Sequence, residues 1–205
     1  MREQLAQVLE NLGKRGYSTH YFNGKEEAAA WLAGQIPPGE QVALGGSVTL
    51  AQLGLVAQLE QNGVEVIDYR NEEYSAEELY EKQRSVFFTH SYFSSANALT
   101  EQGIILNVDG NGNRLAATVY GPQHVYFVIG RNKLVVDMEA AIKRLEEVAS
   151  PLNCRRLDKS TPCKISGHCM HCGAATSICR AWMAMQYAPN GAHYHVVLID
   201  EELGF

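Results

Sequence analysis

Hydrophobic positions along the first 150 residues follow two alternating periods, one typical of helices and one typical of strands. The spacing predicts helices over residues 3–13, 25–35, 48–61, 76–85, 115–120 and 137–149. It predicts strands over residues 17–22, 41–44, 64–69, 104–108, 125–129 and 196–199. Residues 87–97 favour a strand by composition, but the pattern does not fix its ends. Short strands that alternate with helices indicate βαβ units, so we expect an α/β fold with a mainly parallel sheet and helices on both faces.

The composition changes after Pro151, and this change divides the chain into three parts. Residues 1–150 are the predicted α/β core. Residues 151–191 are rich in cysteine and glycine, show little helical periodicity and are predicted to bind a metal. Residues 192–205 contain a strand that we expect to return to the core.

Charge and hydropathy exclude two classes of partner. Of the 205 residues, 46% are hydrophobic and 20% are charged, and 17 basic against 23 acidic residues give a net charge of −6. This balance argues against non-specific binding to nucleic acid or to an anionic membrane surface. No apolar run approaches the roughly 18 residues of a membrane span, and the first ten residues lack the apolar stretch of a signal peptide. We therefore expect a cytoplasmic protein.

A Gly-Gly-Ser turn joins the predicted strand 41–44 to the helix that follows. Gly45 and Gly46 allow a ligand to approach the backbone closely, Ser47 can cap the helix, and Thr49 adds a hydroxyl to its first turn. Free N–H groups at a helix start favour a phosphate or a carboxylate. The spacing matches neither the P-loop nor the dinucleotide-binding fingerprint, so an ordinary βα turn remains the alternative.

A polar loop follows the predicted buried strand 104–108. Its carboxylate, amide and guanidinium groups lie on a glycine-rich backbone: Asn107, Asp109, Gly110, Gly112, Asn113 and Arg114. Ligands of open α/β sheets bind beyond the carboxyl ends of strands, so the loop is a candidate ligand site. The pattern fails the calcium-loop rule because Arg114 stands where glycine is needed. A simple surface turn remains open.

Four cysteines with chelating spacing give the sharpest chemical signal: Cys163, Cys169, Cys172 and Cys179. Crowded cysteines in a cytosolic chain indicate metal or redox chemistry more often than structural disulfides. The set suits an iron–sulfur cluster (4Fe-4S), with a closed zinc site as the alternative and a Cys169–Cys172 redox disulfide as a third reading. His168 and His171 rank below the thiols as ligands, and Cys154 is interpreted as a small apolar residue.

The remaining histidines are interpreted as isolated, and the pair His193 and His195, which would share one face of a strand, is weak evidence for a metal. His90, His124, His193 and His195 are each more typical of an isolated surface or core histidine than of a catalytic base.

Several segments closely resemble the LUD-domain family, the lactate utilization proteins related to LutC and LutB. They are residues 45–54, 97–103, 107–114, 129–133 and 196–205. The Cys-bearing segment from Thr161 to Cys179 resembles that of the short, stand-alone branch of the family. The resemblance implies a three-layer α/β/α fold like that of the sugar-phosphate isomerase and CoA-transferase superfamily. It also implies a role in oxidising L-lactate to pyruvate within a multi-protein iron–sulfur system.

Three functions follow as hypotheses. In the first, the protein is a component of the oxidation of lactate or a similar 2-hydroxy acid, with electrons passing through the four-Cys site to redox partner proteins. In the second, it is a zinc-stabilised metabolite-binding or regulatory subunit, and in the third an isomerase- or CoA-transferase-like enzyme. The expected ligand is a small anionic metabolite, no catalytic residue is assigned, and a homo-oligomer is left open. The predicted ligand-binding residues are Gly45, Gly46, Ser47, Thr49, Asn97, Thr100, Glu101, Asn107, Asp109, Gly110, Gly112, Asn113 and Arg114.

Overall fold

Strands and short helices alternate along the chain in a computed structural model that describes residues 3–67, 74–173, 175 and 177–205. The strands are β1 (Ser18–Phe22), β2 (Gln41–Leu44), β3 (Glu65–Ile67), β4 (Ser91–Ser94), β5 (Ala98–Thr100), β6 (Ile105–Asp109), β7 (His124–Gly130), β8 (Leu134–Val135), β9 (Ala181–Met185) and β10 (His193–Ile199). The helices are α1 (Glu3–Lys14), α2 (Lys25–Gly34), α3 (Val48–Leu53), α4 (Leu55–Gln61), α5 (Ala76–Ser85), α6 (Asn113–Val119), α7 (Met138–Arg144), α8 (Ser150–Arg156) and α9 (Pro162–Ser166). A short 3₁₀ turn, Arg131–Lys133, follows β7.

Six parallel strands form the central sheet, sheet A, in the order β1-β10-β7-β4-β2-β3. Its strands are apolar at successive positions because both faces are covered. Helices α2, α3 and α4 pack on one face, while α1, α5 and α6 pack on the other. The predicted three-layer α/β arrangement with a mainly parallel sheet is therefore confirmed.

A second, smaller sheet covers part of the α1 face of sheet A. This sheet B has the order β8-β5-β6-β9, and both β5–β6 and β6–β9 are antiparallel pairs. The strand predicted over residues 104–108 exists as β6, but it lies in sheet B rather than in the parallel sheet that we expected from its pattern. The reason is a tight turn at Gly103, whose φ of 86° reverses the chain between β5 and β6.

Two predicted helices have different ends in the structure. The helix predicted over residues 48–61 is interrupted at Gly54, which adopts a left-handed φ of 64°. The helix predicted over 137–149 begins after its expected cap, Asp137, whose carboxylate accepts the N–H of Ala140. It then continues through a π turn, Leu145–Ala149, into α8 and ends at Arg156, so the predicted division at residue 150 falls inside a continuous helical run.

The remaining predicted elements agree with the structure apart from small shifts at their ends. The strand predicted over 64–69 is present as β3, and its last two predicted residues lie outside the described part of the chain. Residues 87–97 contain β4, which joins sheet A between β7 and β2. In the part of the chain that the structure describes, no helix is both long enough and apolar enough to cross a membrane.

Candidate functional site

All five cysteines of the chain line one cavity of about 190 Å³, which we call the thiol cavity. Cys154 lies on α8 and Cys163 on α9, Cys169 and Cys172 lie in the loop after α9, and Cys179 precedes β9. The structure describes all five and none of them forms a disulfide. It therefore brings the four predicted metal ligands together. Cys154 is buried, as an apolar residue would be, but its side chain also faces this cavity.

Hydrogen bonds from the surrounding helices hold the cysteine loop in place. The N–H of Cys169 donates to the carbonyl of Glu146 at 2.8 Å, so the π turn anchors the start of the loop. The Cys179 thiol lies 3.3 Å from the Ser150 hydroxyl at the start of α8. Burial raises the pKa of Cys179, and the nearby thiols of Cys163, Cys169 and Cys172 raise it further. The four thiols thus surround one cavity, as the ligands of a common centre would.

The spacing of the donors bears on which metal centre they fit. Four sulfurs around one zinc ion, each about 2.3 Å from the metal, would lie about 3.8 Å from one another. Among the described residues, one group of His, Cys, Asp and Glu has all its ligand atoms within 4.8 Å of each other: Glu146, Cys169 and His171. That group contains a single thiol, so no three of the described thiols all lie within 4.8 Å of one another. Thiolates are the donors of an iron–sulfur centre, and the cysteines around the cavity would supply them.

A cavity of about 460 Å³, the basic pocket, lies beside the thiol cavity. Four cationic side chains line it against one carboxylate, that of Asp109: Arg114, Arg156, Lys159 and Arg180. A smaller cleft of about 40 Å³, the inner cleft, shares Gly46, Arg114 and Arg156 with the pocket and reaches Lys133. Such a concentration of positive charge in a concave site favours a small anion.

Seven of the predicted ligand-binding residues line one or both of these cavities: Gly46, Ser47, Asn97, Asp109, Gly110, Asn113 and Arg114. They come from the carboxyl ends of β2, β4 and β6, which lie near one another in the fold. The site thus combines the carboxyl ends of strands in sheet A with the polar loop that follows β6 of sheet B.

Arg114 is fixed in place by its neighbours. Its guanidinium donates to the carbonyl of Val108 at 2.6 Å and to Asn107 Oδ1 at 3.3 Å. The Asp109 carboxylate accepts the backbone N–H of Arg114 at 3.0 Å and so caps the start of α6. Asn107 and Asp109 therefore position Arg114, and Asn107 is itself fully buried.

The other predicted residues do not line the two cavities. Thr49 is buried, and its hydroxyl donates to the carbonyl of Leu203. Thr100 and Glu101 form the turn beside α1, where the Glu101 carboxylate accepts from Gln4. Gly45 lies buried directly behind Arg114. Gly112 supplies the left-handed residue before α6, with a φ of 83°.

Several site residues were missed by sequence reasoning. Asn153 and Arg156 lie on α8, in the segment for which no helix was predicted, and Lys159 and Arg180 flank the cysteines. The sequence contains the basic residues of the segment 151–180, but its pattern does not show where they lie in the fold. Lys133 follows β7 at the same end of the strands of sheet A as Gly46. Ligands of such sheets bind at the carboxyl ends of the strands, so this position was a candidate for a site residue.

Lys133 is buried inside the site, with 3% of its surface exposed. Its ammonium group donates to the hydroxyls of Thr49 at 2.8 Å and Ser95 at 3.0 Å. Burial, followed by the positive charges of Arg144 and Arg114, lowers the pKa of Lys133 from 10.5 to about 7.

The basic pocket and the thiol cavity share a wall. Ser177 and Ile178 line both. Helix α8 presents Cys154 to the thiol cavity and Arg156 to the basic pocket. A ligand in the basic pocket would therefore lie next to whatever the thiols hold. Gly110 permits this arrangement, because a Cβ there would lie only 3.3 Å from the Cα of Ile178.

Five histidines form a row at the other end of sheet A. The parallel register places His193 beside His124, and their rings stack with centroids 4.8 Å apart. His195 lies with one ring nitrogen 3.4 Å from His20 and the other 3.4 Å from His124. His90 stacks on His124. The interpretation of His90, His124, His193 and His195 as isolated was wrong, because strands far apart in the sequence are neighbours in the sheet.

The sequence profile of the LUD domain matches residues 5–199. The chain belongs to the LUD-domain family. Membership supports a lactate-utilization-related protein, in agreement with the resemblance of its segments. A comparison with curated proteins found no match.

Two solved structures are similar to this LUD-domain protein. A crystal structure of a DUF162 family protein from Deinococcus radiodurans superposes with a TM-score of 0.55 at 11% identity, covering 96% of each chain. At that identity the likeness shows a shared fold alone. Ribose 5-phosphate isomerase A from Neisseria gonorrhoeae gives a TM-score of 0.35 at 14% identity, over 56% of this chain and 54% of that one. A likeness at that level says nothing about this chain's activity.

Proposed function

We propose that this LUD-domain protein is an iron–sulfur component of the oxidation of lactate, or of a similar small 2-hydroxy acid, to the 2-oxo acid. The substrate anion would occupy the basic pocket and the inner cleft. Cys163, Cys169, Cys172 and Cys179 would hold the cluster, and a redox partner protein would receive the electrons.

One observation carries the proposal: the cavity lined by cysteines and the pocket lined by cations share Ser177 and Ile178. An anion site alone would suit a binding protein, and a cysteine site alone would suit a structural metal. Their shared wall supports electron transfer between a bound substrate and a metal centre, because it keeps the two close together.

The reaction removes two electrons and two protons from the 2-hydroxy acid; the electrons would pass to the redox partner protein and the protons to water. When bound, an iron–sulfur cluster supplies one-electron transfer to an external acceptor, so two electrons leave in separate steps. Arg114 and Arg156 would bind the substrate carboxylate, since guanidinium groups pair well with carboxylates. The carbonyl of Val108 and the amide of Asn107 keep Arg114 oriented toward the pocket.

The anion site is tested by calorimetric titration with L-lactate, pyruvate and oxalate. Loss of a charge-assisted bond to a carboxylate costs about 1.5–3 kcal/mol, so we expect Arg156→Met to weaken binding roughly 10- to 100-fold. Lys143→Met is the charge-matched control, because Lys143 is exposed on α7 and lines neither cavity. If none of the three anions binds the wild-type protein, the proposed function is wrong.

The redox role is tested with anaerobically reconstituted protein, L-lactate and a one-electron dye as acceptor. We expect one pyruvate for every two dye molecules reduced, and no reduction by the Cys172→Ser variant. Pyruvate formation that persists in Cys172→Ser would remove the cysteine site from the reaction.

The group Glu146, Cys169 and His171 favours a second function, a zinc-stabilised metabolite-binding or regulatory subunit. These carboxylate, thiol and imidazole donors are all good zinc ligands, and they already lie within 4.8 Å of one another. In this case His171→Ala would release the metal and lower the melting temperature. In the iron–sulfur protein His171→Ala should retain the metal, since four thiolates remain.

A further inference from the structure

Lys133 is the most deeply buried cation of the site, and its surroundings do not neutralise it. The hydroxyls of Thr49 and Ser95 accept two of its N–H bonds and donate their own protons to the carbonyls of Leu203 and Val128. Among the described residues, no carboxylate oxygen lies within 4 Å of its Nζ. A buried ammonium without a counter-ion is unfavourable in free energy. Such a group therefore either binds an anion or loses its proton.

The described side chains that act on Lys133 electrostatically are positive, and Phe205, which carries the terminal carboxylate of this chain, lines the same cleft. Arg144 on α7 and Arg114 on α6 are the neighbours that act on it electrostatically, and Arg156 lines the same inner cleft from α8. Arg144 is committed to the carbonyls of Asn132 and Asn97, so it holds the turn after β7 rather than a ligand. Among the described residues, two hydroxyls accept from Lys133, which leaves the third N–H of its ammonium group for a ligand in the cleft that it lines.

We propose that Lys133 binds the carboxylate or the adjacent 2-oxygen of the substrate anion, and that it takes up a proton when the anion enters. The inference rests on the proposed function, and it adds the inner cleft as the subsite that holds the reacting end of the ligand. Binding is then coupled to protonation, because an anion brings a negative charge next to Lys133. The anion therefore favours the ammonium form over the neutral amine.

The proton balance of binding follows from this coupling. A lysine that titrates near pH 7 in the free protein is about nine-tenths neutral at pH 8 and about one-tenth neutral at pH 6. If the bound anion keeps it protonated, binding takes up about 0.9 proton at pH 8 and about 0.1 proton at pH 6. The guanidinium groups of Arg114 and Arg156 stay charged throughout, so they contribute no uptake.

The experiment is calorimetric titration of the whole protein with oxalate at pH 6 and pH 8, each in two buffers that differ in ionisation enthalpy. We expect proton uptake at pH 8 that nearly vanishes at pH 6. Lys133→Met should abolish the uptake and weaken oxalate binding at least tenfold at pH 6, where wild-type Lys133 is charged. Lys143→Met should change neither quantity, because Lys143 lies outside both cavities.

The outcomes separate the two proposals. If oxalate, L-lactate and pyruvate all fail to bind the wild-type protein, the proposed function falls. If oxalate binds without proton uptake, and Lys133→Met binds it equally well, only the role of Lys133 is overturned. The uptake is measured on the wild-type protein, so a variant that fails to fold leaves the inference open to refutation.

Discussion

Replacement of Gly45 by alanine tests the packing behind the basic pocket. Gly45 follows β2, and its backbone N–H donates to the carbonyl of Phe93 at 2.8 Å. A Cβ at this position would lie 2.5 Å from the Tyr92 hydroxyl oxygen and 3.2 Å from Cγ and Cδ of Arg114. Tyr92 is buried in the core, so the strain must displace the ring, the backbone or Arg114.

The magnitude follows from the size of the clash. One added methyl group in a well-packed site costs about 1–3 kcal/mol. Displacement of Arg114 would also weaken its bonds to Val108 and Asn107, each of which contributes about 1 kcal/mol. We therefore expect Gly45→Ala to lower the free energy of unfolding by about 2–4 kcal/mol.

The assay is equilibrium unfolding in urea, and the neighbouring glycine provides the control. A Cβ on Gly46 would meet no atom within 4 Å, so Gly46→Ala should change the free energy of unfolding by about 0.5 kcal/mol or less. Equal stability of the two variants would refute the close packing of Gly45 against Tyr92 and Arg114.

Three further predictions concern other side chains of the fold. Thr49→Val should lower the free energy of unfolding by about 1–3 kcal/mol in urea, because it removes the hydroxyl between Lys133 and a buried carbonyl; an unchanged value would contradict that bonding. Cys154→Ala should retain the bound metal, whereas Cys169→Ser should lose it, as metal analysis would show. The reverse result would make Cys154 the metal ligand and Cys169 a packing residue. Burial lowers the pKa of His195 to about 4, so the folded state binds fewer protons than the unfolded state between pH 4 and 6.5. The free energy of unfolding must then decrease as the pH is lowered through that range. The melting temperature of His195→Asn, taken from thermal unfolding curves, should decrease less over the same range.

The sequence pattern predicted sheet A well because alternating strands and helices leave few arrangements for a parallel sheet. It could not assign β6 to the smaller sheet. Ile105 and Leu106 lie on opposite faces of β6 and are both apolar, as in a strand of a parallel sheet. Both faces are apolar because sheet B is itself covered by α7 and by the α1 side of the core. The direction of β6 is decided by the turn at Gly103, and hydrophobic spacing does not report it.

The candidate site was only partly predictable for a similar reason. The cysteines stand close together in the sequence, so their spacing alone predicted that they meet. Arg156 and Lys133 are more than 20 residues apart in the chain, and they meet only because α8 continues beyond Pro151 and brings Arg156 to the edge of sheet A. Pro151 would ordinarily indicate the end of a helix. The π turn before it accommodates this proline within the helical run.

The claim on which the account depends is that the thiols of the C-terminal segment hold an iron–sulfur cluster beside an anion pocket. Iron, zinc and acid-labile sulfide should be measured on anaerobically purified protein, together with its visible spectrum. We expect about four iron and four sulfide per chain with a broad visible absorbance, as a 4Fe-4S centre requires. A colourless protein with one zinc and no sulfide per chain would contradict it.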